Sequence, residues 1–164
     1  MPSLRDAVVD GLFRDGLIGL DYVYLDGGYE ISESEYGEGV SVADDFGLHR
    51  AVAGTILRSS LPLRGQELKF LRTLMEMDRH ALAGMIGVPA RRIEALESTP
   101  SSALPPDVDG ALRAAASGHL GLAGVAAACR DMPVGTERAL VANWDADVRR
   151  WSAEVGALAP GRCR

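Results

Sequence analysis

Three arginines near the middle of the chain offer a chemistry suited to nucleic acid. Arg91 and Arg92 are adjacent in a short amphipathic segment, and Arg79 opens the segment before it. A guanidinium group presents its N–H donors as a planar fork, which matches the two acceptors of a guanine edge and the oxygens of a phosphate. We therefore predict that Arg91 and Arg92 contact DNA and that Arg79 contacts phosphate; the alternative is that all three belong to ordinary solvated helix faces. The candidate DNA-binding residues are Arg79, His80, Ala90, Arg91, Arg92, Glu94 and Ala95.

Other reactive side chains form no catalytic or metal-binding pattern. Zinc ligands usually come in closely spaced pairs, whereas the histidines and cysteines of this chain are far apart: His49, His80, His119, Cys129 and Cys163. The sequence contains no nucleophile-elbow, phosphate-loop or dinucleotide-binding motif. One acidic cluster has the density of an exposed hairpin rim: Glu30, Glu33, Glu35 and Glu38. These patterns predict a protein that is not an enzyme and that binds no metal and no cofactor.

The distribution of charge bears on a nucleic-acid partner. The formal net charge of the chain is −6, which disfavours phosphate binding because that affinity comes from lysine and arginine. Residues 63–98 carry a charge of +1, so the acidity lies in the rest of the chain. The charge balance therefore weakens the DNA prediction without excluding it.

Neither a secretory leader nor a membrane span is predicted. Asp6 and Asp10 interrupt the apolar residues at the N-terminus. No run of about eighteen apolar residues occurs in the chain. Two cysteines cannot build a disulfide framework, so we interpret Cys129 and Cys163 as reduced thiols. The expected location is the cytoplasm.

The first part of the chain predicts a small α+β module. Apolar residues at near-helical spacing indicate a short helix over residues 1–16. Residues 20–25 have strand character, and a Gly-Gly turn after them predicts a hairpin whose return strand begins at Tyr29. Residues 37–42 are a third candidate strand. A helix over residues 44–60, with one apolar stripe, is expected to cover this antiparallel sheet.

Three short helices with tight turns follow. They are predicted at residues 65–77, at 79–86, and from residue 89 or 90 to about residue 97. The small side chain of Ala83 permits a close helix crossing, Gly87 suits a left-handed turn, and Ile93 is placed to lock the last helix onto the core. This geometry leaves one face of the last helix free to enter a major groove.

The remainder of the chain is predicted to be mainly helical. A proline-rich linker covers residues 99–106, and helices are expected over residues 107–122 and 124–132. Residues 138–155 are ambiguous, since their apolar spacing fits an amphipathic helix while a turn-like centre also fits a hairpin. Periodicity favours the helix. Trp144 and Trp151 are interpreted as core or dimer-interface residues.

The predicted fold class is therefore α+β, mainly α. A small N-terminal antiparallel β module with a helix occupies residues 1–61. A helix-turn-helix domain follows at residues 62–99, and residues 107–164 form a C-terminal helical extension for dimerisation.

The helical segment resembles the Cro/CI (XRE) helix-turn-helix family. The matching positions are Leu71-Arg72, Leu82-Ala83, Gly87-Val88, Ile93 and Glu97. Three positions depart from the family pattern: Asp78-Arg79 replaces Ser-Gln, Pro89 replaces the capping serine, and Ser98-Thr99 replaces Asn-Gly. Arg72 is also placed to pair with Glu97.

A wider resemblance covers residues 16–97. The segments 19–25, 36–42, 48–52 and 62–72 are similar to the YgiT/MqsA-like group, which joins an N-terminal module to an XRE domain. Many members bind zinc through N-terminal cysteine pairs, but no cysteine precedes Cys129 here, so the resemblance implies a zinc-free version. It also implies dimerisation through the helix-turn-helix region. Some members are antitoxins, which leaves a toxin or another protein partner open.

Two functions are expected from these patterns. The first is a sequence-specific, dimeric transcriptional repressor that binds palindromic double-stranded DNA. The second is a protein-interaction module, such as an antitoxin-like inhibitor or an assembly adaptor, whose helix-turn-helix no longer binds DNA. The acidity of the chain, the near-neutral helical segment and Pro89 motivate the second hypothesis.

Overall fold

The computed structural model describes residues 4–9, 11–122 and 139–156 of the chain. The fold is mixed α and β, and contacts divide the chain into two compact units. The sheet unit comprises residues 1–52 and 133–164, and the helical unit comprises residues 53–132. The three successive domains expected from the sequence, at residues 1–61, 62–99 and 107–164, remain a prediction.

The sheet unit contains the β-strands of the described chain. They are β1 (Val8–Val9), β2 (Leu12–Arg14), β3 (Val23–Asp26), β4 (Tyr29–Ser34), β5 (Gly37–Val42), β6 (Ala139–Asp145) and β7 (Arg150–Gly156). Five of them form one sheet in the order β1-β2-β3-β6-β7. Its neighbours are antiparallel except for β3 and β6, which run parallel with Val23 opposite Leu140. Strands β4 and β5 form a separate antiparallel pair.

The N-terminal helix expected over residues 1–16 is wrong. A short 3-10 helix, Leu4–Ala7, leads instead into a hairpin in which Val9 pairs with Leu12. Gly11 has φ of 86°, which a helix does not accommodate and which a glycine adopts without strain. The dipeptide Asp10-Gly11 is itself a strong hairpin signal, and it outweighs the helical spacing around it.

The hairpin expected between β3 and β4 is also wrong. Strand β3 pairs with β2 and β6, whereas β4 pairs with β5. Gly28, with φ of 68°, lies against the two tryptophans, and a Cβ there would stand 2.6 Å from the Trp151 ring. The Gly-Gly segment therefore receives an aromatic ring instead of closing a two-residue hairpin. The strand expected at residues 37–42 is confirmed as β5.

Residues 139–156 form a hairpin, so the helix favoured by periodicity is wrong. Trp144 and Trp151 are register partners, and their ring centroids lie 5.2 Å apart. The Trp151 Nε1–H donates to the Ala43 carbonyl oxygen at 2.6 Å, and Trp151 is buried. Asp145 Oδ1 accepts from the backbone N–H groups of Asp147 and Val148, which fixes the turn. Core packing is confirmed for Trp151, and the C-terminal extension is not wholly helical.

A buried carboxylate lies at the end of β2. Asp15 is 3% exposed, and its Oδ1 accepts from the Leu17 N–H at 2.9 Å. Burial raises the pKa of the Asp15 carboxyl above its ordinary value, against the smaller opposing effects of the Leu17 hydrogen bond and of His49. The sheet unit thus contains a carboxyl group that stays protonated to a higher pH than the same group does in water.

The helices of the described chain are α1 (Asp45–Arg58), α2 (Gly65–Leu74), α3 (Arg79–Ile86), α4 (Ala90–Glu97) and α5 (Pro106–His119). They confirm the helices expected near residues 44–60, 65–77, 79–86, 90–97 and 107–122, while the helix expected at 124–132 lies outside the described residues. No described helix combines the length and apolar character that crossing a bilayer requires.

The helical unit packs around a small aliphatic core. Its fully buried side chains include Leu68, Leu71, Leu82, Ile93 and Leu112. Each comes from the apolar stripe of its own helix, so burial removes one face of each helix from water. The opposite faces remain available for function.

The two ends of the α2–α4 segment are hydrogen-bonded to each other. The Leu104 N–H donates to the Leu63 carbonyl at 2.7 Å, and the Gly65 N–H donates to the Ser102 carbonyl at 3.2 Å. The carbonyl oxygens of Leu96 and Thr99 occupy the space that a Cβ on Gly65 would need. Only glycine therefore allows this close approach at the start of α2.

Candidate nucleic-acid interface

A buried carboxylate connects α2, α3 and α4. The Arg72 Nε–H donates to Glu97 Oε1 at 2.6 Å, and the Arg79 Nε–H donates to Glu97 Oε2 at 2.8 Å. The side chain of Glu97 is 2% exposed. The expected pairing of Arg72 with Glu97 is confirmed. The pairing of Arg79 with Glu97 is not predicted from the sequence, which indicates a phosphate contact or a solvated helix face for Arg79.

The two guanidinium groups decide the protonation of Glu97. Burial by itself raises the pKa of this carboxyl, but the hydrogen bonds and charges of Arg72 and Arg79 outweigh it, so the pKa lies below its ordinary value. The hydrogen bond and charge of Glu97 in turn raise the pKa of Arg79. Glu97 therefore stays ionised and fixes the relative positions of three helices.

The N-terminus of α3 is capped by a side chain. Asp78 Oδ1 accepts from the Ala81 N–H at 2.7 Å, and aspartate is one of the residues preferred at this position. The cap begins α3 at Arg79 and leaves Arg79 and His80 exposed in its first turn. These two side chains border the surface next to α4.

The turn between α3 and α4 relies on backbone conformation. Gly87 ends α3 with φ of 74°, as expected for the left-handed turn. Pro89 precedes α4 in an extended conformation with φ of −65°, so α4 begins at Ala90 without a side-chain cap. Proline fixes φ near this value by its ring, which sets the start of the helix in place of a hydrogen bond.

Helix α4 has a buried rear face and an exposed front face. Ile93 and Glu97 are buried, whereas Arg91, Glu94 and Ala95 are exposed. The front face thus presents one guanidinium and one carboxylate to solvent. Because its rear face is held by an apolar contact and an ion pair, the helix presents this front face in a fixed orientation.

A depression of about 660 Å³ lies between the first turns of α3 and α4. The residues that line it are Arg72, Asp78, Arg79, His80, Ala90, Arg91 and Glu94. Five of the seven candidate DNA-binding residues therefore meet at one surface. Arg92 and Ala95 do not line the depression, and the Arg92 Nη1 donates instead to Asp107 Oδ2 of α5 at 3.2 Å.

The charges around the depression are nearly balanced. Arg79 Nη1 donates to Glu94 Oε1 at 3.4 Å in addition to its bond with Glu97. Within the described part of the chain, Arg91 makes no ion pair and no side-chain hydrogen bond. Arg91 is therefore the cation of this surface whose hydrogen-bond donors remain available.

Glu67 forms one half of a capping box at the start of α2, which is not predicted from the sequence. The Arg64 N–H donates to Glu67 Oε2 at 2.6 Å, and the Arg64 side chain pairs with the same carboxylate. Glu67 is fully buried. The signal was available, since glutamate at the third position of a helix is the known capping residue. This pair supports the interface by fixing where α2 begins.

No cluster of His, Cys, Asp and Glu side chains that could hold a metal ion occurs in residues 4–9, 11–122 and 139–156. Cys129 and Cys163 lie outside the described residues. Comparison of the chain with models of known protein families, with characterised proteins and with solved structures finds no match. The depression and the helices that surround it are therefore the features that bear on function.

Proposed function

We propose that this protein is a sequence-specific DNA-binding transcriptional regulator. It acts as a repressor in the cytoplasm, as a homodimer, through an XRE-type helix-turn-helix formed by α2, α3 and α4. Helix α4 enters the major groove. The observation that carries the proposal is the exposed, unpaired guanidinium of Arg91 on a helix whose opposite face is anchored by Ile93 and Glu97.

The dimensions of α4 suit a recognition helix. An α-helix fits the major groove of B-DNA, and a recognition helix contacts base edges mainly through its N-terminal residues. Arg91 is the second residue of α4, and no other side chain in the described chain engages its donors. We infer a bidentate contact from Arg91 to the O6 and N7 atoms of guanine, because this is the commonest specific contact of arginine in the major groove.

The first turn of α3 supplies the second contact. Asp78 caps the backbone N–H groups of this turn, so the phosphate contact is assigned to the exposed side chains of Arg79 and His80. Phosphate contacts of this kind fix the register of the protein on DNA. They carry no sequence information, so the choice of operator falls to α4.

The test compares two variants that each lose one positive charge. Arg91→Ala removes the proposed base contact, and Lys69→Ala removes an exposed cation of α2 outside the depression. DNA sites are first selected from a randomised duplex pool with the wild-type chain, and affinity is then measured by fluorescence anisotropy.

Arg91→Ala is expected to weaken binding to the selected site by about 1–3 kcal/mol, with loss of the guanine preference at one position. Lys69→Ala is expected to change affinity little and the preference not at all. Circular dichroism melting curves should be unchanged for both variants. Equal weakening by the two variants would contradict the proposal, as would a wild-type chain that selects no site.

A second function is favoured by one observation. The guanidinium groups of Arg72 and Arg79 are already engaged by Glu97, so fewer cations face solvent than a phosphate-binding surface usually needs. A module that binds a protein partner, such as a toxin or an assembly component, accommodates this neutral surface. Salt separates the two functions. A DNA-binding protein gains affinity steeply as salt is lowered, whereas the alternative module binds no DNA at any salt concentration.

A further inference from the structure

We propose that Glu94 selects cytosine at the base pair next to the one contacted by Arg91. Its carboxylate accepts a hydrogen bond from the cytosine 4-amino group in the major groove. The inference rests on the proposed function, because it names which base α4 recognises beside the guanine assigned to Arg91.

Arg91 and Glu94 are placed to contact neighbouring base pairs. They lie three residues apart in α4, which puts them on the same side of the helix about 4.5 Å apart along its axis. Both line the depression between α3 and α4. Successive base pairs of B-DNA are about 3.4 Å apart. The spacing of the two residues is of the order of one base-pair step, so their side chains can reach adjacent base pairs.

The chemistry of a carboxylate restricts the bases with which Glu94 can form a hydrogen bond. The side chain is 67% exposed on the proposed groove-facing surface, and an ionised carboxylate only accepts hydrogen bonds. Guanine presents two acceptors in the major groove, thymine presents one, and adenine presents an acceptor beside its amino group. Cytosine presents the amino donor without an acceptor of its own. Cytosine is thus the base whose edge complements Glu94.

Arg79 holds the Glu94 carboxylate in position. Its Nη1 lies 3.4 Å from Glu94 Oε1, while its Nε is bonded to the buried Glu97. The guanidinium is therefore fixed from the interior and limits where the Glu94 side chain can turn. Its charge also offsets the repulsion between Glu94 and the DNA phosphates. Arg79 acts here as a positioning residue for Glu94.

The experiment selects binding sites from a randomised duplex pool with the full chain and with Glu94 variants. The wild type is expected to enrich cytosine at one position of each half-site. Glu94→Gln is expected to enrich adenine there, because an amide pairs with both N6 and N7 of adenine. Glu94→Ala should show no preference at that position. The guanine assigned to Arg91 should remain enriched in all three selections.

Binding measurements quantify the contact. Replacing the selected cytosine by thymine, which presents an acceptor, is expected to weaken wild-type binding roughly tenfold and to leave Glu94→Ala unaffected. Arg79→Ala should reduce the cytosine preference while keeping the guanine preference. Glu76→Gln is the matched control, since it changes an exposed carboxylate in the turn after α2 and should keep the wild-type motif.

The outcomes separate this inference from the function on which it rests. Identical motifs for the wild type and both Glu94 variants would overturn the cytosine assignment but would still support sequence-specific DNA binding. A wild-type chain that enriches no motif would overturn both.

Discussion

The helical unit contains a buried charged cluster, whereas the sheet unit contains a buried aromatic ring. In the helical unit, the ionised Glu97 binds Arg72 and Arg79 and so joins three helices. In the sheet unit, the Trp151 ring lies against Gly28, and its indole donates to the Ala43 carbonyl. The charged cluster lies directly beneath the exposed face of α4. The Glu97 ion pairs thus orient the exposed face of α4, whereas Trp151 connects β7 to residues that are distant in sequence.

The two units also differ in the buried carboxyl group that each contains. The pKa of Glu97 is lowered because its guanidinium partners outweigh the effect of burial. The pKa of Asp15 is raised because burial outweighs its hydrogen bonds. Protonation should therefore destabilise the helical unit and stabilise the sheet unit.

The largest effect is expected from Trp151→Ala. Loss of this buried ring leaves a cavity and removes the hydrogen bond to Ala43, which should cost about 3–5 kcal/mol. Because both tryptophans of the chain lie in the sheet unit, the fluorescence of Trp144 reports the loss there. Hydrogen exchange of the α2–α4 amides should stay near the wild-type rate. Equal loss of amide protection in both units would contradict the prediction that the Trp151 contacts stabilise only the sheet unit.

A somewhat smaller effect is expected from Glu97→Gln. The neutral amide cannot form ion pairs with the two guanidinium groups, and breaking a buried ion pair on one side typically costs about 3–5 kcal/mol. Because Arg79 is partly exposed to solvent, the cost is expected at the lower end of this range. The helical signal in circular dichroism should melt at a lower temperature, while the tryptophan fluorescence transition stays in place. Glu94→Gln, an exposed carboxylate on the same helix, is the matched control and should change the melting temperature little.

The smallest effect, and the sharpest test of the comparison, is the dependence on pH. The stabilisation from ionised Glu97 is complete above its ordinary pKa of 4.5 and is lost as the pH falls through the lower folded-state pKa. The stabilisation from neutral Asp15 is complete below its ordinary pKa of 3.8 and is lost as the pH rises through the higher folded-state pKa. Acidification should therefore weaken the helical unit while favouring the sheet unit.

Unit-specific hydrogen exchange between pH 3 and pH 7, corrected for intrinsic exchange rates, measures this difference. Glu97→Gln should remove the Glu97 contribution to the pH response of the helical unit. Asp15→Asn should remove that of Asp15 in the sheet unit. If the stability of both wild-type units changed with pH in the same direction, titratable groups other than Glu97 and Asp15 would determine the pH dependence.

The helical unit could be predicted from the sequence because its signals are local. Helices α3 and α4 follow from apolar spacing, and Gly87 marks the turn between them. Glu97 and Arg79 lie 18 residues apart, yet their pairing was missed, since the sequence does not reveal which of several nearby carboxylates a cation will reach. The expected surface residues meet around the depression except for Arg92 and Ala95.

The sheet unit could not be predicted because its pairings are distant. Trp151 and Ala43 are 108 residues apart, and β3 pairs with β6 across most of the chain. The apolar spacing around the tryptophans favours a helix, and the hairpin becomes evident only when its partner strand β3 is known. A single sequence contains local propensity, but it does not identify the strand that will lie alongside.

The hydrogen bond between Leu63 and Leu104 has a consequence for protein engineering. Because residues 63 and 104 are neighbours, the α2–α4 segment begins and ends at one point. Segments with adjacent ends are the ones that insertion into a loop of another protein tolerates best. An insertion made at these two positions would therefore need no long linker at either junction.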